Sequence, residues 1–168
     1  MMFKKMMFVA LFAVATAAMA SAADYSKIPD PLENAKVGQW VSHKMSTGME
    51  QKQTIVDIQG EGDERVITMK MEMSQGEMKL PAQEMKISVK EVKANEAAAR
   101  EQATDVKISE TTIDVGGKTY NVVLVENNVD GNVSKLYLSK DVPVTGIVKM
   151  ELDNPMMPIN LEITGQGE

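Results

Sequence analysis

The chain has 168 residues, a formal net charge of −6, 15 methionines, one histidine and no cysteine. An acidic balance repels the phosphate backbone and anionic headgroups, so nucleic acid and membrane surfaces are poor partners. Without cysteine there is neither a disulfide framework nor a lipid anchor, and a lone histidine excludes a zinc centre built from His and Cys.

Residues 1–22 read as a cleaved secretory signal. Lys4 and Lys5 form a positive start, Met6 to Thr16 an apolar core, and Ala18, Ala20 and Ala22 supply small residues for the peptidase. The apolar core is too short to span a bilayer. Cleavage is expected after Ala22, which leaves 146 residues, one domain's worth, with the net charge moved to −8. All three phenylalanines depart with the signal, and Tyr25, Trp40, Tyr120 and Tyr137 remain as the aromatics. The expected location is the periplasm, where this cysteine-free domain must stand on packing alone.

Residues 23–38 form an irregular leading segment broken by Pro29, Pro31 and Gly38, with room for one or two helical turns over Pro31–Lys36. The β-rich domain spans 39–168. Its first strand, about Gln39–Ser46, carries Trp40, and its second, Gln51–Gln59, is expected to place Thr54, Val56 and Ile58 on one face. The clearest alternation follows, with Ile67, Met69, Met71 and Met73 against Thr68, Lys70 and Glu72, the pattern of a half-buried antiparallel strand. Met85, Ile87 and Val89 repeat it, and Pro81 marks the approach as an edge or bulge. Lys93–Thr104 breaks the pattern with alanine, glutamate, arginine and glutamine, so one short helix is expected near 94–102. Strands then resume over about 105–115, 118–126, 133–139, 146–152 and 159–164. Gly116-Gly117 and Asp130-Gly131 supply turn geometry, and Asn154-Pro155 opens a loop. Tyr120–Val125, apolar on both faces but for Asn121, is expected to be the most buried strand.

Few residues offer chemistry. His43 lies between Ser42 and Lys44 on a strand, where neighbours point to opposite faces, so Ser42 and His43 cannot act as nucleophile and base. A surface or rim histidine is expected. The carboxylates are scattered in the manner of a solvated face, and Glu126 to Asn132 carries too few acids for a calcium loop. Methionine is the unusual feature, with ten in the mature part. Three readings stay open. The first takes the residues as ordinary core, since methionine fills irregular space; the second has them line a deformable apolar cavity, with Trp40, Ile67, Met69, Met71, Met73, Met85 and Ile87 as its residues; the third has Met69, Met71 and Met73 bind Cu(I) through soft thioethers. Same-face residues stand roughly 7 Å apart along a strand, which hinders the three sulfurs from sharing one ion.

Val115-Gly116-Gly117-Lys118-Thr119-Tyr120, followed by Tyr137, Ser139, Val142, Pro143, Gly146, Ile147, Val148 and Lys149, resembles the hairpin and [WY]-x-S-x-x-[VI]-P-x-x-G-[LIV]-V-K patterns of a broad group of uncharacterised exported bacterial β-proteins. In outline such proteins are similar to the LolA-type lipoprotein carriers, half-barrels whose curved sheet holds an apolar groove. The resemblance implies an exported protein built on a curved antiparallel sheet.

The expected fold is therefore mainly β, a single antiparallel sheet of about nine strands curled into a half-barrel or incomplete barrel, with one short helix. The expected function is that of a soluble periplasmic protein, not an enzyme, that binds a hydrophobic small molecule or an envelope protein. The alternatives are copper binding through methionine and a purely structural role. No cofactor is expected, and no nucleophile, base and orienting group occur together for a hydrolase.

Overall fold

The computed structural model describes residues 24–102, 105–129, 132–153 and 158–168. The expected signal, the Asp130-Gly131 turn, the Asn154-Pro155 loop, Met156 and Met157 lie outside these residues. The described chain forms one antiparallel sheet of ten strands: β1 (Trp40–Met45), β2 (Met49–Gln59), β3 (Val66–Gln75), β4 (Met78–Lys79), β5 (Gln83–Ser88), β6 (Val106–Val115), β7 (Lys118–Val129), β8 (Asn132–Leu138), β9 (Ile147–Asp153) and β10 (Ile159–Gly167). The order across the sheet is β4-β3-β2-β1-β10-β9-β8-β7-β6, with β5 also paired to β3. The sheet curls but does not close, and one α-helix, α1 (Val89–Gln102), joins its two halves.

The order follows from hairpins. Each half is a meander whose neighbours in sequence pair in space, and the halves are sewn together where the first long strand meets the last, Trp40 opposite Gly167 and Met45 opposite Leu161. The tenth strand, beyond the nine expected, is the two-residue β4, separated from β5 by Leu80-Pro81-Ala82. Proline cannot donate to a ladder, so the break falls on this edge of the sheet, as the sequence suggests.

Two bulges reset the inward face. On β2 the register slips between Ile55 and Asp57, which turns Val56 outward. The buried side chains are thus Gln51, Gln53 and Ile55, not the expected Thr54, Val56 and Ile58; of that set only Ile58 packs against the core, because it lies beyond the slip. Between β1 and β10 the slip falls on β10, where Thr164 is the extra residue between Gly165 opposite Ser42 and Ile163 opposite His43; β1 itself alternates, with Val41 and His43 both facing in. α1 begins five residues earlier than expected. Val89 is buried either way, and Ser88 Oγ accepts from the Glu91 backbone N–H at 3.3 Å, the start of a Ser-x-x-Glu capping pattern. The expected helical turns over Pro31–Lys36 are instead reverse turns that drive Leu32 into the core at 2 % exposure.

Two apolar clusters result. One joins both halves through Val41, Ile55, Ile67, Met69, Val122, Val148 and Ile163, with Leu32 and Val89 closing over it. The other sits mainly in the second half, among Val106, Val125, Leu136, Leu138, Met150 and Leu161. β7 is not the most buried strand. It lies next to the β6 edge, and with no slip in its register it buries Tyr120 and Val122 on one face and Val125 and Asn127 on the other. The deepest stretch is Thr145–Val148 with Val142 and Val144 just before it, where a loop folds back over the first part of β7.

Candidate functional site

Cross-strand partners share a face, so register decides which candidate residues meet. Gln53 stands opposite Met71, Ile55 opposite Met69, Ile67 opposite Ile87 and Met69 opposite Met85. The structure therefore brings Ile67, Met69, Met71, Met73, Met85 and Ile87 onto one inner face. Trp40 is excluded from it: its partners are Thr54 on β2 and Gly167 on β10, and Thr54 is opposite Lys70, so Trp40 lies on the outer face. The methionine face is packed by the protein itself. Ile67 and Met69 are 0 % and 1 % exposed, and the Met71 sulfur accepts from Gln51 Nε2 at 3.3 Å.

His43 occupies the same inward face and is 2 % exposed, not at the surface. Its Nε2 donates to the Ile147 carbonyl at 2.8 Å, which fixes the neutral tautomer, and burial holds its pKa below the ordinary value against that bond. This histidine pins β1 to the start of β9. Among the described residues no group of three or more His, Cys, Asp or Glu side chains converges for a metal.

A concavity does exist, at the end of the sheet beneath the leading segment. It is an open cleft of about 1040 Å³ between residues 26–34, the ends of β7 and β8, and the 139–143 loop. Its apolar side chains include Ile28, Pro31, Val123, Leu138, Val142 and Pro143, and its rim carries Lys27, Asp30, Glu33, Glu110, Lys140 and Asp141.

The loop bounding this cleft is held from several sides. Ser139 N–H donates to the Gly146 carbonyl at 2.8 Å, Ser139 Oγ accepts from Asp141 N–H at 3.3 Å, and Gln166 Nε2 donates to the Asp141 carbonyl at 3.0 Å. Thr145 N–H donates to the Pro143 carbonyl at 2.8 Å, a γ-turn centred on Val144. Val144 has φ of +70° and is 0 % exposed, a strained backbone for a β-branched residue that only a fully determined surround maintains. Gly146, also at +70°, follows it against Pro31.

Outside, β7 to β10 and β1 carry a row of charge. Tyr137 Oη donates to Glu151 at 3.1 Å, and Lys149 reaches Glu151 at 3.0 Å and Glu162 at 3.1 Å. Burial pushes the Glu151 carboxyl up, but the Lys149 and Tyr137 bonds leave it below its ordinary value, and the bond to Glu151 holds Lys149 above its own. The tyrosine and lysine of the sequence pattern are thus direct cross-strand partners sharing one carboxylate.

No family model matches the chain, and no curated protein matches it. Two solved structures share its fold. One is a Bacteroides fragilis protein inferred to be exported, of YmcC-like fold, with a TM-score of 0.51, 9% identity, and coverage of 80% of this chain and 97% of that one. The other is a Parabacteroides distasonis protein inferred to be a lipoprotein, with a TM-score of 0.52, 9% identity, and coverage of 79% and 96%.

Proposed function

We propose that this chain is a non-enzymatic protein of the bacterial envelope that works by docking an extended segment of a partner protein in the cleft beneath its leading segment. The observation that carries this reading is the contrast between two faces. The methionine face is filled by Leu32, Val89 and its own strands, whereas the cleft is open, lined by polar and apolar groups in nearly equal part, and charged at its rim. A lipoprotein-carrier role of the kind the sequence pattern suggests would require the methionine face to open, and the docking reading needs no rearrangement. Copper binding gains no support from a ladder whose central sulfur already accepts a hydrogen bond. Export is supported by the signal-like start and by the fold shared with proteins inferred to be exported or lipid-anchored.

The test is site-specific photocrosslinking in the native envelope. A photoreactive residue at Lys140 or Glu33, both exposed on the rim, is expected to give one discrete crosslinked partner, and the same residue at Glu77, outside the cleft, none. Equal labelling from all three positions, or none from any, would overturn the docking reading. A bound apolar molecule in the native mass spectrum of the isolated protein would reinstate the carrier.

A further inference from the structure

The cleft beneath the leading segment leaves unexplained the mature chain's only tryptophan and the two glycines beneath it. Gly165 and Gly167 lie inside β10, where glycine weakens a strand and marks a close approach. What approaches is the Trp40 indole. A Cβ added at Gly167 would stand 2.6 Å from Trp40 Nε1, and one at Gly165 would stand 3.2 Å from its six-membered ring. The glycines let the indole lie flat on the backbone, and its other face is turned away from the sheet under Lys52 Nζ, 4.3 Å from a ring centroid. Trp40 remains partly exposed.

Register surrounds this ring with polar side chains. Ser42 is opposite Gly165 and Lys52, Lys52 is opposite Glu72, and Lys79 is opposite Ser74. Together with Thr164 they line a depression of about 570 Å³ on the outer face. The Glu50 and Glu72 carboxylates ion-pair with Lys44 at 3.3 Å and Lys70 at 2.9 Å, whereas Lys52 and Lys79 act on Glu72 from a longer range and enter no ion pair within 4 Å among the described residues. Two ammonium groups not held in direct ion pairs beside a flat aromatic ring, with hydroxyls on either hand, suit a particular ligand class. That class presents an apolar C–H face for stacking, hydroxyls for hydrogen bonding and an anionic group for the lysines.

We propose that the Trp40 depression binds an acidic saccharide. The sugar ring replaces the Lys52 ammonium over the indole, and Lys52 and Lys79 swing to its carboxylate. This site is on the outer face, separate from the cleft of the proposed function, and the two readings stand or fall independently.

The sole tryptophan of the chain reports its own site. The probe is trigalacturonic acid, titrated into the full-length mature protein at low salt while Trp40 emission is followed. Maltotriose serves as the uncharged sugar, and inorganic phosphate as the bare anion. Trigalacturonate is expected to change the emission saturably, with an affinity at least about tenfold above that of maltotriose. Replacing both cations (K52M with K79M), which keeps the apolar stems on exposed positions, is expected to remove that tenfold advantage. Absence of saturation at millimolar trigalacturonate would overturn the proposal. So would an equal response to phosphate, which marks an anion site only, or a trigalacturonate affinity unchanged in the double variant.

Discussion

His43 shows how one side chain can couple stability to proton concentration. Its imidazole is buried and donates from Nε2 to the Ile147 carbonyl, and burial holds its pKa below the ordinary 6.5. The folded protein thus binds fewer protons than the unfolded chain in the interval below 6.5. Stability from this group is complete above that value and is lost as pH falls through the interval, by up to about 1.4 kcal/mol per pH unit. A melting temperature that declines between pH 7.5 and 5.5, and a decline that vanishes in His43→Gln, is the expected result. The paired carboxylates act lower, since Glu151 is held below its ordinary 4.5, so the two effects separate along the pH axis. The sequence pointed to a rim position for His43 because its neighbours Ser42 and Lys44 are polar. Alternation alone would put either set of residues inside, and the central placing of β1 between β2 and β10, which covers Val41 and His43, leaves no trace in the residue types around His43.

At the scale of elements, strands with strict alternation were legible and strands with bulges were not. β3 follows the pattern of Ile67, Met69, Met71 and Met73 because its register with β5 runs without a slip. β2 defeats the pattern because one extra residue near Val56 exchanges its faces. α1 was legible in its alanine-rich body, and its true start was signalled by Ser88-x-x-Glu91, which the β-like alternation of Ile87 and Val89 concealed. The candidate site was legible only in part: six of the seven residues share a face, and Trp40, grouped with them as an apolar aromatic, belongs to the opposite one. The β1–β10 seam offers a direct check on that placement. Gly167→Ala must move the indole, so its emission is expected to shift to the red, and the protein to lose about 1–3 kcal/mol in chemical denaturation. Unchanged emission would mean that Trp40 does not rest on β10.

For the whole molecule, the division of the core predicts an order of opening. The second half owns a cluster almost to itself and has five strands in succession, β6 to β10. The first half ends in the two-residue β4 and in β5, none of whose residues is fully buried. Amide hydrogens of β7, β8 and β9 are expected to exchange slowest and those of β4 and β5 fastest, in native-state exchange followed by mass spectrometry. The motif-bearing loop at 139–146, though irregular, should exchange with the slow group because its residues are buried and cross-bonded. The seam itself has a mechanical meaning. The start of β1 and the end of β10 lie side by side at the middle of the sheet, Trp40 against Gly167. Tension applied through the two ends of the chain first draws off the leading segment that Leu32 anchors, then falls on that pair and breaks its hydrogen bonds one after another rather than in shear. From that point the protein would part down its centre while both outer edges were still folded.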